Sequence, residues 1–168
     1  KLESETNFIL SNSPTQRVGY AVAKEQKKIS HEHLMLSLDK IHSVEEIREF
    51  INHKNCVASV KLDGLTVSAT YINGNLTRLE TRGNGEIGED VLHNALVVKN
   101  IPNRINFQDE LVVDGEIICT YPNFKEFADE YKNPRNFASG SIRLLDSAEC
   151  AKRNLSFIAW DCIKGLDD

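Results

Sequence analysis

The sequence has 168 residues, 40% of them hydrophobic and 27% charged, which suits one soluble globular domain able to bury a real core. Its net charge of −5 argues against nucleic-acid affinity that rests on bulk positive charge, though not against a few well-placed arginines. No apolar run approaches a membrane span, and no basic, apolar and small-residue succession marks a signal peptide.

Four cysteines stand at wide, irregular spacings with no C-x-x-C pair, against a zinc site or a disulfide framework. Cys56 and Cys119 lie in apolar, strand-like runs and are expected to be buried thiols, which fits a reducing, cytoplasmic compartment. The first residue is Lys1 rather than Met, so the sequence is read as a trimmed product or a piece of a longer chain.

Residues 1–19 are polar and irregular, and "SPTQRVG" closes what is expected to be an ordered surface arm. Ser43 to Glu46 reads S-x-x-E, a capping box, and predicts a helix to about residue 53 with Ile47, Phe50 and Ile51 inward. The β-rich runs 57–63 and 65–72 follow. Asn73-Gly74 is a type I′ hairpin signal, with a return strand at 75–81. "RGNGEIGED" (82–90) is too rich in glycine and acid for a strand and reads as a loop. A short helix or turn is expected at 91–98.

"LVVDGEIIC" (111–119) predicts another buried strand. Pro122 suits the first turn of a helix, and Phe124, Phe127, Ala128 and Tyr131 keep helical spacing after it. "NPRNFASGS" is read as a loop leading into a short helix at about 141–146, and "LSFIAWDC" as a closing strand. Strands and helices interleave without a βαβ rhythm. The expected class is α+β, with an antiparallel sheet carrying a site on one face.

Two runs carry candidate chemistry. In "VASVKLDG" a strand would put Ala58, Val60 and Leu62 on one face and Ser59, Lys61 and Asp63 on the other, so the lysine projects from a sheet floor into a cleft. Gly64 then permits a tight turn or a close approach. For these four residues alone, an ordinary solvated face is the better reading. "VVDGEII" repeats the pattern, with Asp114 and Glu116 opposite Val113, Gly115 and Ile117; edge strands also carry such charge against aggregation. Together the two runs place a lysine and carboxylates where one pocket can hold both. A desolvated lysine beside another cation becomes a nucleophile.

"TRGNGEIGED" lacks the G-x-x-x-x-G-K-[ST] spacing, which excludes a Walker-type phosphate loop and leaves a plain connection as the better reading of its spacing. "NPRNFASGSIRLLD" offers Arg135 and Arg143 either as phosphate contacts or as solvated surface arginines.

Six segments in order, "SPTQRVG" (13–19), "MLSLDK" (35–40), "KLDG" (61–64), "TRGNGEIGEDV" (81–91), "DGEI" (114–117) and "NPRNFASGSIRLLD" (133–146), resemble the adenylation domain of NAD-dependent DNA ligases. No single segment is decisive; six at family-like spacing over nearly the whole chain are highly specific. The resemblance implies an antiparallel-sheet nucleotidyltransferase fold, ATP-grasp-like, and lysyl-adenylate chemistry. Lys61 would attack the α-phosphorus of NAD⁺ and expel nicotinamide mononucleotide. AMP would pass to the 5′-phosphate of nicked DNA, and the 3′-hydroxyl would seal the strand, as in replication and repair. Mg²⁺ would offset phosphate charge.

By position, the resemblance places Ser37, Leu38 and Leu62 around the nucleotide, Asp63 as the acid of the nucleophile motif, and Arg82 on the bound nucleotide. Glu116 would contact the AMP ribose, Trp160 would stack on adenine, and Arg135 and Arg143 would face the phosphate and nick. Ser59 stands where the family usually has a glutamate that recognises the adenine amino group. Asp114-Gly115-Glu116 replaces R-G-E, nearer the D-G-E of ATP-dependent relatives, and Asn84 replaces the aspartate of T-R-G-D-G.

The D-G-x-V-I-K and K-F-P segments expected after Trp160 are not in the sequence. Nor are the N-terminal nicotinamide mononucleotide-binding domain, OB-fold, zinc finger, helix-hairpin-helix or BRCT parts. The chain is therefore expected to be a truncated adenylation domain: a fragment or split subunit that needs a complementary ligase polypeptide and is weak or inactive alone. The other reading is a catalytically incompetent remnant that binds nucleotide, DNA or a partner.

Overall fold

The computed structural model describes residues 26–166, so the "SPTQRVG" segment and the rest of the proposed arm lie outside the described residues. In chain order the elements are β1 (Lys28–Ser30), α1 (Val44–Ile51), β2 (Leu65–Ile72), β3 (Asn75–Thr81), β4 (Ile87–Glu89) and α2 (Leu92–Ala95). Then come β5 (Leu111–Ile118), α3 (Tyr121–Phe124), a 3₁₀ turn (Lys125–Phe127), α4 (Pro134–Ile142), α5 (Ser147–Ala151) and β6 (Ser156–Lys164). The class is α+β with antiparallel sheets.

β2 and β3 form the hairpin that Asn73-Gly74 predicts, with φ of 51° and 75° at the turn. β5 pairs along the other side of β2 and β6 along β5, so the four strands run β3-β2-β5-β6. The strand period of two then sorts the faces. Val67, Ala69, Tyr71, Leu79 and Ile117 enter the core, where Val91, Ala95, Phe137, Ala138, Ile142 and Cys150 pack on them. Thr66, Ser68, Thr70, Arg78, Glu80, Asp114 and Glu116 share the opposite, polar face, since Ser68 stands opposite both Glu80 and Asp114, and Thr66 opposite Glu116.

Several expectations need correction. Among the described residues the run 57–63 pairs with no strand, and the face expected to be core is largely open: Ala58 and Val60 are exposed, Val60 at 84%, and Leu62 is only half-buried. Alternation makes a strand possible, but a ladder needs a partner for its backbone groups, and none reaches this run among the described residues. Cys56, in the same run, is an exposed thiol, not a buried one. α1 forms, with Ser43 Oγ accepting from Glu46 N at 3.1 Å, but its apolar stripe is not inward: Ile47, Phe50 and Ile51 are exposed.

The 82–90 loop contains β4, which pairs with β1. The helix after Pro122 breaks at the 3₁₀ turn before reaching Tyr131. The expected packing survives the break, because Phe124, Phe127 and Tyr131 all surround Phe137. "NPRNFASGS" is not a loop but the body of α4, and the short helix expected at about 141–146 is only its last residues. Asn133 Oδ1 accepts from Asn136 N at 2.8 Å and Pro134 opens the first turn, a helix start whose turn-like composition hides it.

Candidate active site

The site is organised around the end of the K-L-D-G run, where the chain enters β2. Glu116, on the polar face of β5, accepts from Gly64 N through Oε1 at 3.0 Å and from Thr66 Oγ1 through Oε2 at 3.0 Å. This clamp joins two sequence-predicted elements, K-L-D-G and D-G-E, across the β2–β5 ladder. Gly64 is buried there because its Cα lies against β5: a Cβ would stand 2.1 Å from the Ile117 carbonyl oxygen. The close approach that its glycine permits is therefore to this chain's own backbone.

Asp63 is exposed and pairs with Arg135 Nη1 at 3.2 Å, so the N-terminal turn of α4 reaches back to the K-L-D-G run. Lys61, two residues earlier, is also exposed, and no carboxylate lies within ion-pairing distance of it among the described residues. Leu62 is half-buried and Ser59 exposed.

A second group of predicted residues meets in a cleft of ≈ 500 Å³ lined by residues 34–37 and 82–86. It brings Ser37 and Arg82 together. Its walls are zipped by His31 N donating to Glu86 O at 2.9 Å and Met35 N to Gly85 O at 3.1 Å. Asn84 holds the glycine-rich turn: its Oδ1 accepts from Glu86 N at 3.0 Å and Ile87 N at 2.8 Å. An aspartate oxygen would accept the same two bonds, so the departure at Asn84 leaves the turn intact.

Other predicted residues are not gathered in. Leu38 is exposed beyond the cleft. Trp160 is 48% exposed on β6, at the bulge created where Ala159 pairs with Gly115 and Asp161 with Asp114. Arg143 is engaged by Glu89 and Ser139, and so ties the end of α4 to β4.

The sequence reading missed the two histidines that cross the polar face. His31 contacts Glu80 and the Arg82 carbonyl, and His33 Nε2 lies 3.0 Å from Asp114 Oδ2. Arg78 adds a bond to Glu80 at 2.8 Å and an ion pair to Glu32. An H-x-H spacing fits alternate residues of an extended segment lying on a sheet, but the carboxylates it meets are 49 and 81 residues away in sequence. Among the described residues, no group of three or more His, Cys, Asp or Glu is arranged to hold a metal ion, and no helix is long and apolar enough to cross a membrane.

Comparison with known proteins gives the chain a family. The curated relatives are DNA ligases. That of Lachnoclostridium phytofermentans is 46% identical over 98% of this chain and 26% of its own length. That of Ruminiclostridium cellulolyticum is 42% identical over 98% and 26%, and one from Clostridium perfringens is 40% identical over 95% and 28%. The family model for the NAD-dependent DNA ligase adenylation domain matches residues 23–167, and the chain belongs to that family. It spans about a quarter of the length of these relatives.

Proposed function

We propose that this chain carries the lysine that accepts AMP in an NAD⁺-dependent DNA ligase. Its fold would be the nucleotidyltransferase fold. The observation that carries the reading is the junction of K-L-D-G with two other candidate site residues: Glu116 clamps Gly64, and Arg135 holds Asp63.

In the proposed step, the neutral Lys61 amine attacks the α-phosphorus of NAD⁺. A P–N bond forms, the P–O bond to nicotinamide mononucleotide breaks, and the amine's surplus proton leaves to solvent. An exposed amine at the mouth of a clamped strand is open to a substrate, while the Glu116 clamp limits movement of the residues that follow it. Ser37 and Arg82 would hold the nucleotide in the cleft, with Leu38, Leu62, Ser59 and Trp160 around it. Arg135 and Arg143 would meet phosphate, the former by exchanging Asp63 for it.

Mg²⁺, when bound, would offset phosphate charge. With no cluster of three or more His, Cys, Asp or Glu among the described residues, the chain suits an ion carried mainly by substrate phosphates and water, not a protein cage. Transfer of AMP to a nick and sealing of the strand are proposed for the whole enzyme, of which this chain is a fragment or one subunit.

Intact-mass analysis after incubation with NAD⁺ and Mg²⁺ tests this. The chain alone is expected to label slowly or not at all. A polypeptide supplying the rest of a related ligase is expected to restore an AMP adduct on Lys61, absent in Lys61→Arg. Rapid stoichiometric labelling of the isolated chain would overturn the need for a complement, and labelling from ATP but not NAD⁺ would overturn the donor. Persistent nucleotide binding without any adduct would favour a non-catalytic remnant.

A further inference from the structure

The polar face of the sheet holds a buried histidine that none of the proposed chemistry uses. The His31 side chain is 1% exposed and that of Glu80 4%. Both ring nitrogens are engaged: Nδ1 lies 3.0 Å from Glu80 Oε1 and Nε2 2.9 Å from the Arg82 carbonyl oxygen. A carbonyl only accepts, so Nε2 carries a hydrogen and donates it. The ring fits because Gly88 faces it; a Cβ there would meet His31 Cε1 at 2.7 Å and Nε2 at 2.9 Å.

The peptide unit that precedes Arg82 is held as well, since Arg82 N donates to Thr66 O at 3.0 Å. The Arg82 main chain is thus fastened on both sides, to β2 through its N–H and to the His31 ring through its carbonyl. Arg82 lines the cleft that also contains Ser37, six residues beyond His31. His33, bonded to Asp114, pins the same segment to β5.

We propose that His31 is a positioning residue: its Nε2–H···O=C bond sets the backbone from which Arg82 reaches the nucleotide. This rests on the reading of the cleft as a nucleotide site. The histidine has two separable bonds, so isosteres can divide them. In His31→Gln the amide nitrogen falls near the Nε2 position and can keep the bond to Arg82 while losing Glu80. In His31→Asn it falls near Nδ1, keeps Glu80 and loses Arg82.

The experiment measures NAD⁺ concentration dependence and maximal rate of AMP labelling in the chain supplied with its complement. It is run for both variants, for Arg82→Ala, and for the double variant His31→Asn/Arg82→Ala. His31→Asn is expected to raise the half-saturating NAD⁺ concentration about tenfold, the loss of one buried hydrogen bond, with His31→Gln within about threefold of the parent. In the Arg82→Ala background His31→Asn is expected to have no further effect. Equal defects in the two isosteres, or additive effects in the double variant, would overturn the proposal and leave His31 a purely structural residue.

Amide hydrogen exchange at Arg82 in the chain without nucleotide separates the two readings. Faster exchange in His31→Asn than in His31→Gln supports the positioning role even where the parent accepts no AMP, in which case the nucleotide reading alone falls. Unchanged exchange in His31→Asn overturns the positioning role whatever the labelling shows.

Discussion

In Gly64→Ala a single methyl group would be built 2.1 Å from the Ile117 carbonyl oxygen and 3.0 Å from Ile118 Cγ2. Ordinary carbon contacts lie near ~3.5 Å, so the two backbones must separate by on the order of 1 Å where Leu65 pairs with Ile117. Overpacking of this kind costs about 1–3 kcal/mol. The movement also stretches the 3.0 Å bond from Gly64 N to Glu116 Oε1, and a bond to a charged acceptor contributes about 1.5–3 kcal/mol. Against these, alanine removes backbone freedom from the unfolded chain and returns about 0.4–1 kcal/mol.

The net expectation is a loss of about 2–4 kcal/mol, a large part of the stability of an ordinary domain. Urea unfolding followed by far-ultraviolet circular dichroism reads it as a lower midpoint at unchanged slope. AMP labelling of Lys61 should fall as well, since the same methyl releases the clamp three residues downstream. A loss below about 0.5 kcal/mol would refute the reasoning, because it would mean that β2 and β5 are not in the close contact on which the clamp depends.

Two further outcomes follow from burial. Burial pushes the Tyr71 hydroxyl from 10.0 up to about 12, so the folded chain keeps a proton that the unfolded chain has lost between those values, and stability falls as pH rises through that window. Tyr71→Phe is expected to remove about 1.4 kcal/mol per pH unit from that decline, read by denaturant midpoints at stepped alkaline pH; an unchanged slope would contradict it. In the native chain a neutral-pH thiol reagent should modify exposed Cys56 quickly and leave Cys119 and Cys150 until unfolding, Cys150 being buried with its thiol pushed up to about 12. Rapid native labelling of Cys150, located by peptide mass, would refute its place in the core.

Much of this arrangement was legible in the sequence, and the reason is the locality of its signals. Asn73-Gly74 set the hairpin through its turn geometry, and alternation in "VVDGEII" sorted Asp114 and Glu116 from Val113 and Ile117 before any partner was known. The ordered motifs carried the family. What failed needed a partner to decide it. "VASVKLD" has strand composition but finds no strand to pair with among the described residues, and Val57 and Val60 are exposed. α1 has a helical stripe but nothing described to bury it, and "NPRNFASGS" has loop-like residues that become a helix because Phe137 is drawn into a core built by Phe124, Phe127 and Tyr131.

The amino-acid sequence by itself determined which chemistry this chain can offer: an amine at Lys61, the acids at Asp63 and Glu116, and arginines at Arg82 and Arg135. Only the tertiary structure decided how they are held. Glu116 spans the ladder to Gly64, Arg135 returns to Asp63, and His31 fastens Arg82. Those three bonds join residues 51 to 72 apart in sequence. Local periodicity carries no information across such separations, and it is the packing of the sheet that brings the groups within hydrogen-bonding distance.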